Sequence, residues 1–211
     1  MSGQVRRSPE GVHRQRDADR TRQALIDAAL LEFAAKGRNG ARVSDIAARA
    51  GVNKQLISYY FGGKDGLYEA IAERWQAAEA QLAPPGTSVA DMLVAYFRAD
   101  GQGRDTVRIW VREGLDNPHG ENEPDPDATV VPPEILDFRR RQAAGELASD
   151  LDPACLLLMF MSLSIVDVTI PHQIKKFTGL DPTSEQFRQL FSEQLRRLVA
   201  HLAPDDPPAP A

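Results

Sequence analysis

Apolar residues recur at three- and four-residue intervals from about position 20 onward, and no segment alternates as a half-buried strand would. In 20–36, Leu25, Ile26, Ala29, Leu30 and Phe33 mark one helix face, and Gly37 predicts its end. Val43, Ile46, Ala47 and Ala50 predict a short amphipathic helix stopped at Gly51. Asn53 is placed to cap a second short helix over 54–61, which Gly62-Gly63 breaks. A long helix is predicted from about Asp65 to Ala83, with Leu67, Ile71 and Trp75 on one face. Beyond Pro84-Pro85-Gly86, Thr87 or Ser88 can cap a helix ending near Asp100, and another covers about 104–115. Pro133 opens a helix to about Ala148. Asp152-Pro153 starts the most hydrophobic helix, 153–169, expected to be buried on more than one side and kinked or ended by Pro171. Pro182, with Thr183 and Gln186 as a capping box, opens a last helix to about Leu202. About nine helices and no strand predict an all-α fold, a small N-terminal three-helix unit joined by a long helix to a C-terminal helical bundle.

Composition narrows the chemistry. A chain of 211 residues can bury a real core without disulfides or metal. The single cysteine, Cys155, excludes an internal disulfide framework and any multi-cysteine metal site, and it reads as a small buried apolar residue. The four histidines are scattered, so neither a metal nor another cofactor is expected. No nucleophile–base pair or Gly-rich phosphate loop is present, which argues against an enzyme. No segment resembles a signal peptide, and the apolar run 155–166 is far short of the roughly 20 residues that span a bilayer. A cytoplasmic protein with no membrane partner is expected.

The net charge of −5 hides a split. Residues 1–64 hold 12 Lys+Arg against 6 Asp+Glu, and residues 65–211 hold 13 against 24. A basic segment on an acidic chain points to a polyanionic partner for that segment. Only Pro9 precedes residue 84, so proline divides the chain at the same region. The expected domains are a basic flexible arm (1–19), a helix-turn-helix domain (20–80, motif about 42–61), a second domain (81–202) and a disordered tail (203–211). The loop 116–133 carries five carboxylates and five prolines with no Lys or Arg, and reads as a solvated connection. Arg139-Arg140-Arg141 reads as a solvated helix face.

The informative stretch is VSDIAARAGVNKQLISYYFGGK, residues 43–64. Two short amphipathic helices joined by a turn at Ala50-Gly51-Val52 form a helix-turn-helix. Val43, Ile46, Ala47, Ala50, Val52, Ile57 and Phe61 are expected to pack on the first helix. Lys54, Gln55, Ser58 and Tyr59 then remain outward, where such side chains can read base edges or hold phosphate.

These segments, with RTRQALIDAALLEFAAKG (20–37) and DGLYEAI (65–71), resemble the TetR-type (tetracycline-repressor-like) transcriptional regulators. The resemblance implies that 43–50 is the supporting helix and 53–60 the recognition helix. It implies that Lys54, Gln55 and Tyr59 face DNA, with Tyr60 where the family often has His, and that Lys64 clamps a phosphate. Arg42 departs from the family's Thr or Ser, leaving capping to Ser44, and Ser58 stands where the family often has Tyr. The full DNA-contacting set expected is Arg42, Val43, Ser44, Asn53, Lys54, Gln55, Ser58, Tyr59, Tyr60 and Lys64. The resemblance also implies a variable second domain that binds a small-molecule effector and dimerises.

Within that second domain, Tyr96, Trp110, Met159, Asp167 and His172 are the candidate ligand contacts. Leu158, Phe187, Phe191, Leu195 and Leu198 are the candidate dimer interface. The expected function is a ligand-responsive repressor that binds a palindromic double-stranded DNA operator as a homodimer, nucleoid-associated when bound. The alternatives are a helical protein-interaction module or an all-α enzyme carrying a vestigial helix-turn-helix.

Overall fold

The computed structural model describes residues 9–99, 101–116 and 131–203, with side chains from residue 15 onward. Within them the chain forms eleven helices and no strand. They are α1 (Pro9–Gly40), α2 (Val43–Ala50), α3 (Gln55–Phe61), α4 (Lys64–Leu82), α5 (Val89–Arg98), α6 (Gln102–Asp116), α7 (Pro133–Ala143), α8 (Pro153–Ser164), α9 (Val166–Thr169), α10 (Pro171–Thr178) and α11 (Glu185–Leu202). The all-α expectation holds, with more helices than the nine predicted. Most of the loop 116–133 and of the tail 203–211, with residues 1–8 of the arm, lie outside the described residues.

Two compact units share the chain. Among the described residues, one comprises those up to Ala77 together with Arg108–Asp116, the other those of Ala78–Val107 and those from position 131 onward. The expected joint at Pro84-Pro85-Gly86 is not where the chain divides, because α4 and α6 each contribute to both units.

In the first unit, α1 begins at Pro9 rather than near residue 20, so 9–19 is helical instead of a loose arm. Gly37 takes φ 72° and kinks α1 where the sequence predicts its end. Leu25, Ile26, Ala29, Leu30 and Phe33 of α1 are fully buried with Ile46, Ala47, Ile57, Leu67 and Ile71. Burying each Leu, Ile and Phe among them contributes roughly 1.5–3 kcal/mol. Val43, Ala50, Val52 and Phe61 pack half-buried around this core, as their spacing predicts.

The second unit has its own core, in which Val89, Leu93 and Phe97 of α5 meet Phe138, Leu156, Phe160, Ile174, Phe187 and Leu195. Ser88 caps α5 by accepting from the Asp91 N–H, and Asp152 caps α8 by accepting from the Cys155 N–H at 2.9 Å. The cap of α11 is Ser184, which accepts from the Phe187 N–H, while Thr183 instead donates to Asp181. The helix expected over 153–169 breaks at Ile165, and Pro171 starts a separate helix rather than merely ending one. Only Leu156, Phe160 and Ser164 of α8 are buried, one face at four-residue spacing. Cys155 is therefore exposed, not buried, as are Leu158, Met159 and Met161.

Arg104 of α6 ties this unit together. It donates to the carbonyl oxygens of Phe97 (2.7 Å) and Ser164 (3.4 Å), near the ends of α5 and α8, and pairs with Asp167 of α9. Both side chains are under 10% exposed (8% and 7%). Burial pushes the Asp167 carboxyl up against the opposing pull of the Arg104 guanidinium. Among the described residues no helix is long and apolar enough to cross a membrane.

Candidate nucleic-acid interface

The helix-turn-helix is held from below by charge as well as by core packing. Glu32, nearly fully buried on α1, accepts from Arg49 Nε and Nη2 of α2 (2.9 and 2.7 Å) and pairs with Lys36 (2.6 Å). Lys36 also reaches Asp45 of α2 at 2.8 Å. The bonds from Lys36 and Arg49 hold the Glu32 carboxyl below its usual range despite burial, and Lys36 does the same for Asp45. Sequence reading missed this network, because partners on two helices have no fixed spacing.

Between α2 and α3, Gly51 adopts φ 69°, a left-handed conformation that costs an L side chain about 1 kcal/mol or more. Its N–H and that of Val52 close the helix end on Ala48 and Ala47. Gly66, not singled out from the sequence, is fixed by space instead. A Cβ there would stand 1.9 Å from the Phe61 carbonyl oxygen, so α4 can begin this close to the end of α3 only without a side chain.

The predicted contact residues divide into three groups. Lys54, Gln55, Ser58 and Tyr59 are exposed on or just ahead of α3, with Tyr59 at 78% exposure, and Arg42 and Ser44 are exposed at the start of α2. Asn53 is exposed but already employed, since its Oδ1 accepts from the Gln55 N–H at 2.9 Å. Ser44 does not cap α2. Its hydroxyl donates to Asp45, and Arg42 occupies the cap position with no side-chain bond. Val43 and Tyr60 are half-buried against the core, and Lys64 donates to the Ala41 carbonyl at 3.4 Å. Lys64 and Arg42 thus lie at the same short segment ahead of α2.

The residues expected to contact a ligand are not gathered into one site. Trp110 belongs to the first unit, 41% exposed and edge-on to Trp75 at 5.4 Å. Met159 and His172 are exposed on α8 and α10. Tyr96 is half-buried and donates to Glu79 at 2.9 Å, and burial, helped by that bond, raises its hydroxyl well above the usual value. Asp167 alone is buried. An open depression of about 550 Å³ on α7 is lined by Pro133, Leu136, Arg139, Arg140 and Ala143, none of them expected ligand contacts. Arg141 leaves the solvated face predicted for it and bonds Asp137, Glu146 and the Thr87 carbonyl. Of the expected dimer contacts, Phe187 and Leu195 are buried in their own core and Phe191 packs on Phe97 and Phe187. Leu158 and Leu198 remain exposed.

A helix-turn-helix locked to a preceding helix, with an outward polar face on its second helix, defines a DNA-binding unit of the bacterial regulator type. Residues 25–71 match the sequence model of bacterial regulatory proteins, tetR family. Over 195 residues the chain is 28% identical to the HTH-type transcriptional repressor SCO4008 of Streptomyces coelicolor, covering 87% of this chain and 97% of that protein. It is 32% identical over 99 residues to the HTH-type transcriptional regulator BetI of Paraburkholderia xenovorans, a match to 43% of this chain and about half (51%) of BetI. The crystal structure of a Streptomyces coelicolor protein assigned as a transcriptional regulator, SCO4942, superposes with a TM-score of 0.68 at 25% identity, over 88% of this chain and 99% of that one. Residues 25–71 thus carry a TetR-type helix-turn-helix of the DNA-binding kind, and over most of its length the chain is similar to transcriptional repressors and regulators.

Proposed function

We propose that the protein is a repressor that binds a palindromic operator as a homodimer and releases it when a small molecule occupies the second unit. The observation that carries the DNA part is the outward set Lys54, Gln55, Ser58 and Tyr59 on a helix fastened to α1 by core packing and the Glu32 network. Arg42, next to Ala41 in the chain, and Lys64, which reaches the Ala41 carbonyl, supply cations beside that surface for phosphate. The exposed Leu158, Met159 and Met161 of α8 supply an apolar face suited to a second copy. A dimer presents two recognition helices, which suits half-sites one helical turn, about 34–36 Å, apart. The effector would bind differently to the DNA-bound and free states, as any such coupling requires.

Selection from random duplexes, followed by affinity measurements across salt, tests this reading. A palindromic sequence is expected, bound with an affinity that falls steeply as salt rises. Enrichment of no sequence would sink it.

A further inference from the structure

Resting on the reading that α3 enters a major groove, the geometry points to the bases it reads: we propose that Gln55 reads an adenine and Tyr59 the methyl group of a thymine close by. Gln55 is the first residue of α3 and is exposed, and its N–H is already satisfied by Asn53. Its side-chain carboxamide makes no hydrogen bond within the described residues. A carboxamide sets one donor and one acceptor side by side, the complement of adenine N7 and N6, whereas guanine O6 and N7 call for a doubly donating Arg or Lys. The α3 segment QLISYYF contains neither, which leaves Lys54 ahead of it as the nearest such cation.

Tyr59 lies one turn beyond Gln55, on the same side of the helix. Its ring is 78% exposed and stands edge-on to Tyr60 at 4.9 Å, which limits where it can swing. A flat apolar surface held outward fits the thymine C5-methyl, which only the major groove displays. Four helical residues rise about 6 Å. Base pairs stack at about 3.4 Å along a strand, and a helix lying in the groove crosses the duplex axis at an angle, so the two readings fall at most about two base pairs apart.

The test is random-duplex selection with the full chain and with Gln55→Ala, Gln55→Lys and Tyr59→Ala. All three change exposed side chains, and thermal melting checks that each folds. Wild type is expected to enrich an adenine in each half-site, with a thymine within about two pairs of it. Gln55→Ala should flatten the adenine column, losing about tenfold in discrimination, and Gln55→Lys should convert it to guanine. Replacing that thymine by deoxyuridine should weaken wild type about fourfold, the value of one methyl group, and leave Tyr59→Ala unaffected. An adenine column that Gln55→Ala leaves unchanged, or equal sensitivity to deoxyuridine in both proteins, overturns the assignment while the operator-binding reading stands. A wild-type protein that enriches nothing overturns both.

Discussion

Glu32 is a carboxylate in an apolar core, held there by two cations whose own side chains are nearly half exposed (44% and 48%). Solvent therefore screens part of the attraction, and Glu32→Gln is expected to destabilise the protein by only about 1 kcal/mol at neutral pH. Because the folded-state carboxyl titrates below its unfolded value, this contribution is full above the ordinary glutamate range and disappears as pH falls through the depressed one. Urea titrations of both proteins at pH 7 and pH 3 check it: a gap that stays constant would refute the assignment. Arg104 is the opposite case, since both it and Asp167 are out of solvent. Arg104→Ala should cost about 3 kcal/mol or more, leaving a buried carboxylate and two helix-end carbonyls without their donor, as chemical denaturation can measure. Neither residue stood out in the sequence. Glu32 sits among the apolar positions of α1 without breaking their period, and the Arg104 partners on α8 and α9 are some 60 positions away.

At the scale of elements, what the sequence reveals is what local chemistry dictates. The buried face of α1, the break in it at Gly37, the stop at Gly51, and the caps at Ser88 and Asp152 follow from short-range periodicity and hydrogen bonding. The errors fall where a more distant part of the chain decides. Hydrophobicity made 153–169 look uniformly buried, yet one face of α8 meets the core and the other is left open. The outward face of α3 was legible because the apolar positions around it are so regular, whereas the proposed ligand contacts had only residue type to recommend them. Gly66 shows the limit most clearly, its requirement arising from a carbonyl on the preceding helix. Gly66→Ala should displace α4 from the end of α3, lower stability by about 1–3 kcal/mol and weaken DNA binding. Gly114, with nothing near its missing Cβ, is a control, and Gly114→Ala should leave melting temperature unchanged or raised.

For the molecule as a whole, the open side of α8 bears on assembly. Leu158→Glu puts a charge in the middle of the exposed apolar face and should turn a dimer into a monomer in sedimentation or light scattering. Operator affinity should fall with it, since the two half-sites would no longer be bound jointly. A wild-type protein that is monomeric at micromolar concentration removes the basis for this expectation. The folded units themselves limit how this regulator can be rebuilt. Residues 108–116 return to the DNA-binding unit, with Ile109 in its core, Trp110 on Trp75 and Glu113 accepting from Tyr68. A chimera that grafts residues 1–83 onto another regulator would take the recognition helix but omit that returning segment. Recombination between such proteins works with the fewest broken contacts when the donor supplies two separate stretches, so the readable motif is a smaller piece than the heritable module.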